Sequence, residues 1–144
     1  MTDKAVDHLS IRACRLEDME LVPELWRQAG ATPSVTDTAN DLRRAIAENL
    51  AYVLVAEVEN RVVGSIIGAF DGWRGNIYRL VVHPDRRRQG IARALVAEVE
   101  KRLTGRGAKR ITALVEKDQP RAMSFWEAVG YRVDERIVRR VRTL

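Results

Sequence analysis

The chain has 144 residues, 46% apolar and 31% charged. That is the balance of a globular protein burying about two-thirds of its unfolded surface, so it excludes disordered and fibrous classes and predicts one domain over residues 1–144. The net charge of +5 comes almost wholly from arginine, which suits an acidic partner without naming one.

No apolar run approaches the roughly 18 residues of a membrane span, and Met1 to Arg12 lacks the basic-then-apolar order of a secretory leader. No membrane association and a cytoplasmic location are therefore expected. Alternation from His8 to Cys14 predicts a first strand. Cys14 is the lone cysteine and has no histidine cluster near it, so it reads as a small buried hydrophobe; neither a disulfide nor a metal site is expected. Asp18 or a later residue opens a helix with Leu21, Leu25 and Trp26 on one face, and Pro23 points to a late start. Thr36 or Asp37 caps a second short helix in which Leu42, Ala45 and Ile46 share a face.

Two strand-like runs follow, Ala51 to Val58 and Arg61 to Phe70, joined by the polar pair Glu59-Asn60 as a β-hairpin. After the turn Asp71 to Gly75, Asn76 to His83 completes an antiparallel meander. From Gln89 to Thr104 the period becomes helical, with Ile91, Leu95, Val99 and Leu103 inward and Gly105 and Gly107 ending it. A strand Arg110 to Val115, a helix Pro120 to Val129 stopped by Gly130, and two closing strands, Tyr131 to Glu135 and Ile137 to Thr143, complete the chain. The cationic Arg136, Arg139, Arg140 and Arg142 alternate with apolar residues, as on a strand with one solvated face.

The stretch from Leu80 to Leu95 carries most information: a strand, a basic turn with Arg86, Arg87 and Arg88, and a helix start at Gln89 to Arg93. At such a start several backbone N–H groups lack intrahelical partners and the helix dipole is positive, which suits a phosphate. Gly90 lets backbone approach the anion and Ala92 keeps the next turn narrow. Physics alone stops at a basic helix start that meets some anion or none.

The full string resembles the signature of the GNAT N-acetyltransferase superfamily, Arg/Gln-x-x-Gly-x-Gly/Ala, here Arg87-x-x-Gly90-x-Ala92, preceded by Val82-x-Pro84. A second family pattern is matched by Gln119-x-x-Ala122-x-x-Phe125-Trp126-x-x-x-Gly130-Tyr131. The likeness spans nearly the whole chain and is closest to small bacterial single-domain members. It implies an α/β (α+β, mixed-sheet) fold in the order β-α-α-β-β-β-α-β-α-β-β, with the central parallel strands splayed to open a slot. It also implies acetyl-CoA as acyl donor, its pyrophosphate held by backbone N–H groups of Arg88, Gln89, Gly90, Ile91, Ala92 and Arg93 beside Arg87. Leu80, Val81 and Val82 would offer backbone groups to the pantetheine and thioester, and Gln119 with the Ser124, Phe125 and Trp126 face would close the other side.

Two departures stand out. Many relatives carry Tyr where Trp126 stands, a phenol thought to protonate the departing thiolate; indole has no usable acidity. A thiol near pKa ~8.5 leaves with little help, so catalysis can survive that loss, and Trp126 also reads as simple packing. Gln119 replaces Asn, one methylene longer with the same donors and acceptors. Glu116 and Asp71 are the candidate bases, each also readable as a surface acid, and Tyr78 is a candidate to face the slot. His83 reads as a turn residue.

The implied reaction is direct transfer, with a neutral amine attacking the thioester carbonyl and a backbone N–H of Leu80 to Val82 meeting the oxyanion. The acceptor is a small-molecule or protein amine, and a homodimer is compatible with the sequence. Two other classes stand beside this one. A non-catalytic acyl-CoA sensor fits the missing Tyr, and a basic nucleic-acid module fits only the charge. The latter is disfavoured because no basic stripe with interleaved aromatics is seen.

Overall fold

The computed structural model describes residues 8–144, and the leader reading over Met1 to Arg12 lies for residues 1–7 outside them. The chain forms two compact units, one running to Leu114 and one from Val115 to Leu144. None of the helices among the described residues is long and apolar enough to cross a membrane.

The first unit contains β1 (Ser10–Ala13), α1 (Leu21–Gln28), α2 (Ala39–Ala47), β2 (Ala51–Val58), β3 (Arg61–Phe70), β4 (Gly75–Val82), α3 (Ile91–Gly105) and β5 (Ile111–Ala113). Short 3₁₀ turns at Leu16–Asp18 and Pro84–Arg86 precede α1 and α3. The sheet order follows the chain, β1-β2-β3-β4-β5. All pairs are antiparallel except β4 with β5. A parallel pair needs a long crossover, and α3 supplies it.

β2 and β3 have the bounds their alternation predicts. Glu59 and Asn60 both take positive φ, 51° and 65°, the mirror-image turn whose twist suits a two-residue hairpin. Successive side chains point to opposite faces. Val53 and Val55 therefore join Val22, Leu25 and Trp26 of α1 and Leu42 of α2 in one core layer. On the other face α3 lies directly on the glycines of β3. An added Cβ at Gly68 would sit 2.4 Å from Cγ2 of Val99, so only glycine admits the helix this close. Ile91, Leu95, Val99 and Leu103 are all buried, as expected for the inward face of α3.

Arg12 fastens the sheet edge. Its guanidinium donates to Asp18 at 2.7 and 3.2 Å and to Glu57 at 2.9 and 2.8 Å. Burial by itself would raise the Asp18 carboxyl, but the bonds from Arg12 and from the backbone N–H of Arg15 outweigh it and hold the group below the usual range.

Several boundaries differ from the sequence reading. The first strand begins at Ser10, not His8, which has φ 66°. The buried stripe of α1 is Val22, Leu25 and Trp26, while Leu21 is exposed, because the helix starts at Leu21 and turns that first residue outward. Neither Thr36 nor Asp37 caps α2; Thr38 does, its Oγ1 accepting from the N–H of Asp41 at 3.1 Å. The third meander strand runs Gly75–Val82, and His83 is the turn residue expected, its Nδ1 accepting from the N–H of Asp85 at 3.1 Å. α3 starts at Ile91, since Gln89 and Gly90 form the turn into it, and includes Gly105.

The second unit is built on α4 (Pro120–Ala128). Trp126 is buried, edge-on to Phe125 at 5.5 Å and to Tyr131 at 4.9 Å between ring centroids. Gly130 takes φ 97°, the left-handed stop its place predicts. The two closing strands do not form. Residues 131–144 carry no strand, and Val133, Ile137, Val138 and Val141 are exposed. Alternation supplies a face, but a ladder also needs a neighbour, and this unit contains no other strand among the described residues.

Candidate acyl-donor site

The end of β4 is held by its neighbours less fully than its beginning. β4 pairs with β5 only through Gly75↔Ile111, Asn76↔Thr112 and Ile77↔Ala113, and the N–H of Leu114 still reaches the carbonyl of Ile77 at 3.3 Å. Beyond Ile77 no residue of β5 stands opposite β4, because β5 ends at Ala113. Within the first unit, Leu80 to Val82 therefore have no strand opposite their β5-side backbone groups.

The other side of β4 is kinked at the same place. Ile67 pairs with Tyr78 but Ser65 pairs with Val81, so Arg79 and Leu80 stand against Ile66 alone. Arg79 takes φ 53°, a left-handed conformation uncommon outside glycine. Such a bulge bends a strand and re-aims its groups. The side chain of Val81 is core, while Leu80 and Val82 are half-buried. Tyr78, just before the bulge, is 37% exposed.

Following β4, the chain turns through Pro84–Arg86 and enters α3 through two left-handed residues, Arg88 at φ 64° and Gly90 at φ 77°. Alternation of this kind turns successive N–H groups towards one concavity. Gly90 is the N-cap and offers no side chain, and the first turn holds no acid. The first helical bond runs from the N–H of Ala94 to the carbonyl of Gly90 at 3.0 Å. The amides of Ile91, Ala92 and Arg93 precede it and lack helical acceptors. Arg87, Arg88 and Arg93 are exposed around them. Gln89 has a buried Oε1 with no hydrogen-bond partner. The arrangement suits a phosphate: donors, positive dipole and cations with no competing carboxylate.

The remaining candidates are distributed as follows. Asp71 lies at the other end of β4, in the turn before Gly75. Its Oδ1 accepts from the N–H groups of Trp73 and Arg74, both at 2.8 Å. Those bonds, Arg74 first, lower its pKa. At about 3.3 Å per residue, the five steps from Gly75 to Leu80 put it more than 15 Å from the bulge. Asp71 closes the turn before β4. In the second unit Glu116 and Gln119 are exposed, with the N–H of Gln119 donating to the carbonyl of Glu116 at 3.2 Å. Ser124, Phe125 and Trp126 do not form one face: Ser124 is exposed and Trp126 buried, as a step of about 100° per residue requires. Cys14 is buried, and that burial pushes its thiol up to about 11, so it is no thiolate at neutral pH.

Sequence reasoning missed Arg79. No signal within β4 marks it: the partners that set its role, Asp37 and Trp26, lie 42 and 53 residues away in the chain.

The profile of the acetyltransferase (GNAT) family matches residues 16–131. An acetyltransferase of Sodalis glossinidius (strain morsitans) is 38% identical over 130 residues, 90% of this chain and 92% of the relative. PaiA N-acetyltransferase from Thermoplasma acidophilum, solved in complex with coenzyme A, superposes with a TM-score of 0.78 at 19% identity, over 88% of this chain and 91% of that one. The aminoglycoside antibiotic 6′-N-acetyltransferase AAC(6′)-IG from Acinetobacter haemolyticus gives 0.77 at 15% identity, over 94% and 99%. At such identities these two structures speak for the fold.

Proposed function

The chain belongs to the GNAT acetyltransferase family, and we propose that it moves an acetyl group from acetyl-CoA directly to an amine. The observation that carries this reading is the amino end of α3, with three amides before the first helical bond, no cap side chain, no first-turn acid and exposed Arg87, Arg88 and Arg93. In this reading Arg88 to Arg93 hold the pyrophosphate by backbone N–H groups. Leu80 to Val82 hold the pantetheine arm along the open edge of β4, and one of their N–H groups meets the oxyanion as the amine adds. By their match to the family pattern, Gln119 and α4 are the second unit's own candidates for the cofactor, with the packing of Trp126 making it a support and not an acid. A thiol of pKa ~8.5 departs as thiolate without a strong acid. Burial and a raised pKa take Cys14 out of consideration as an acyl carrier.

The acceptor follows from what the site lacks. Asp71 is engaged elsewhere, which leaves Glu116 as the one candidate base from the sequence. A lysine amine of pKa ~10.4 is neutral about once in 2,500 at pH 7, and an α-amine near ~7.8 about once in seven. The protein therefore prefers α-amino and other low-pKa amines, small molecules included. The test is an acceptor panel followed by thiol release, comparing kcat/KM for matched acceptors that differ only in which amine is free, from pH 6 to 10. Preference for the α-amine at pH 7, converging at high pH, supports the reading. Faster lysine acetylation at pH 7 overturns the preference, and no turnover with any amine favours an acyl-CoA sensor.

A further inference from the structure

Arg79 combines an unusual backbone conformation with a fully engaged side chain. Its main chain is left-handed at φ 53°, at the centre of the β4 bulge. Its Nε donates to Asp37 Oδ1 at 3.1 Å and its Nη2 to the carbonyl of Thr32 at 2.7 Å, with a further ion pair from Nη2 to Asp37 Oδ2. The guanidinium also lies over the Trp26 ring, 5.3 Å from its centroid. Trp26 is itself fixed, donating from Nε1 to the buried Ser65 Oγ at 2.8 Å. Both ionic partners are mostly covered, at 18% and 19% exposure.

Asp37 in turn organises the segment between α1 and α2. Its Oδ2 accepts from the N–H of Ser34 at 2.9 Å, and its own N–H donates to the Ser34 carbonyl at 3.1 Å. One guanidinium thus ties the segment 32–38 to the strand kink, across 42 residues of sequence. A left-handed arginine persists only where its surroundings over-determine it, and such positions gather at functional sites. A planar fork on a carboxylate and a carbonyl, stacked on indole, is a role lysine does not reproduce.

We propose that Arg79 is a positioning residue: it locks the segment 32–38 to the β4 bulge, so that binding of the acyl donor along Leu80 to Val82 is coupled to the order of the segment between α1 and α2. This rests on the acetyl-transfer reading for what the strand binds, but the clamp itself is testable without it.

The experiment is hydrogen exchange with mass spectrometry on the wild type, Asp37→Ala and Arg79→Lys, free and saturated with coenzyme A. In the free protein, Asp37→Ala is expected to speed exchange at residues 78–80 at least tenfold, along with 32–38, while the amides of β2 stay slow and show the fold intact. In the wild type, coenzyme A is expected to slow exchange at 32–38. That transfer should be lost in Asp37→Ala and Arg79→Lys although their affinity for coenzyme A stays within about threefold. Unchanged exchange at 78–80 in Asp37→Ala overturns the clamp. So does equal protection of 32–38 by coenzyme A in all three proteins, because a merely structural contact would loosen the segment without uncoupling it from the ligand. Failure of coenzyme A to bind the wild type overturns the donor reading instead, and the free-protein arm then decides the clamp alone.

Discussion

The two ends of β4, Gly75 to Ile77 and Leu80 to Val82, are finished in opposite ways. At the Gly75 end the strand is paired on both sides, the turn before it is closed by Asp71, and α3 packs so closely that a Cβ would meet Val99 Cγ2 at 2.4 Å from Gly68 and Leu103 Cδ1 at 3.2 Å from Gly75. At the Leu80 end it is kinked, has no β5 residue opposite it within the first unit, and is followed by a helix start whose first amides lack helical acceptors. Unsatisfied polar groups are kept where a ligand can complete them. A buried or half-buried backbone group without a partner costs free energy, so such groups persist where something meets them.

The contrast breaks most readily at Gly68. Gly68→Ala brings a Cβ against the stiff side chain of Val99, and the expected loss is about 1–3 kcal/mol of folding stability by urea denaturation. The affinity for acetyl-CoA per folded molecule should stay unchanged, because the closed end of β4 is separate from the cradle. A fall in affinity as large as the fall in stability would show that the two ends are not independent.

Arg93→Glu sharpens the same contrast through opposed signs. An acid in the first turn of α3 favours the helix dipole and should raise stability by about 0.3–1 kcal/mol. The same carboxylate repels the pyrophosphate, so acetyl-CoA should bind at least tenfold more weakly, about 1.4 kcal/mol by calorimetric titration. Both quantities moving together would mean that the free amides serve the helix and not a ligand.

The smallest effect is expected at Asp71. Its folded pKa lies below the ordinary value because backbone N–H groups favour the charged form. Its contribution is therefore present above the unfolded pKa and disappears as pH falls through the folded one. Asp71→Asn should be slightly less stable than wild type at pH 7 and indistinguishable from it in strong acid, by thermal melts. The pH dependence of turnover should be the same for both; a displaced alkaline or acid limb in the variant would return Asp71 to the candidate bases.

Sequence alone determined the features written in short spans. The hairpin at Glu59-Asn60 and the inward face of α3 depend on local dihedral preference and side-chain period. The family string Arg87-x-x-Gly90-x-Ala92 is equally local, spanning the turn before α3 and its first residues. Tertiary structure decided the rest. Asp71 and the bulge are nine or fewer residues apart in sequence, yet an extended strand holds them at opposite ends of the unit, and periodicity carries no length of reach. Arg79 reads as a solvated charge on a strand until Asp37 and Trp26 arrive from 42 and 53 residues away. Ile137 to Thr143 alternate as a strand should, but hydrogen bonds between strands are non-local, and no pattern within one segment supplies the neighbour that would make them.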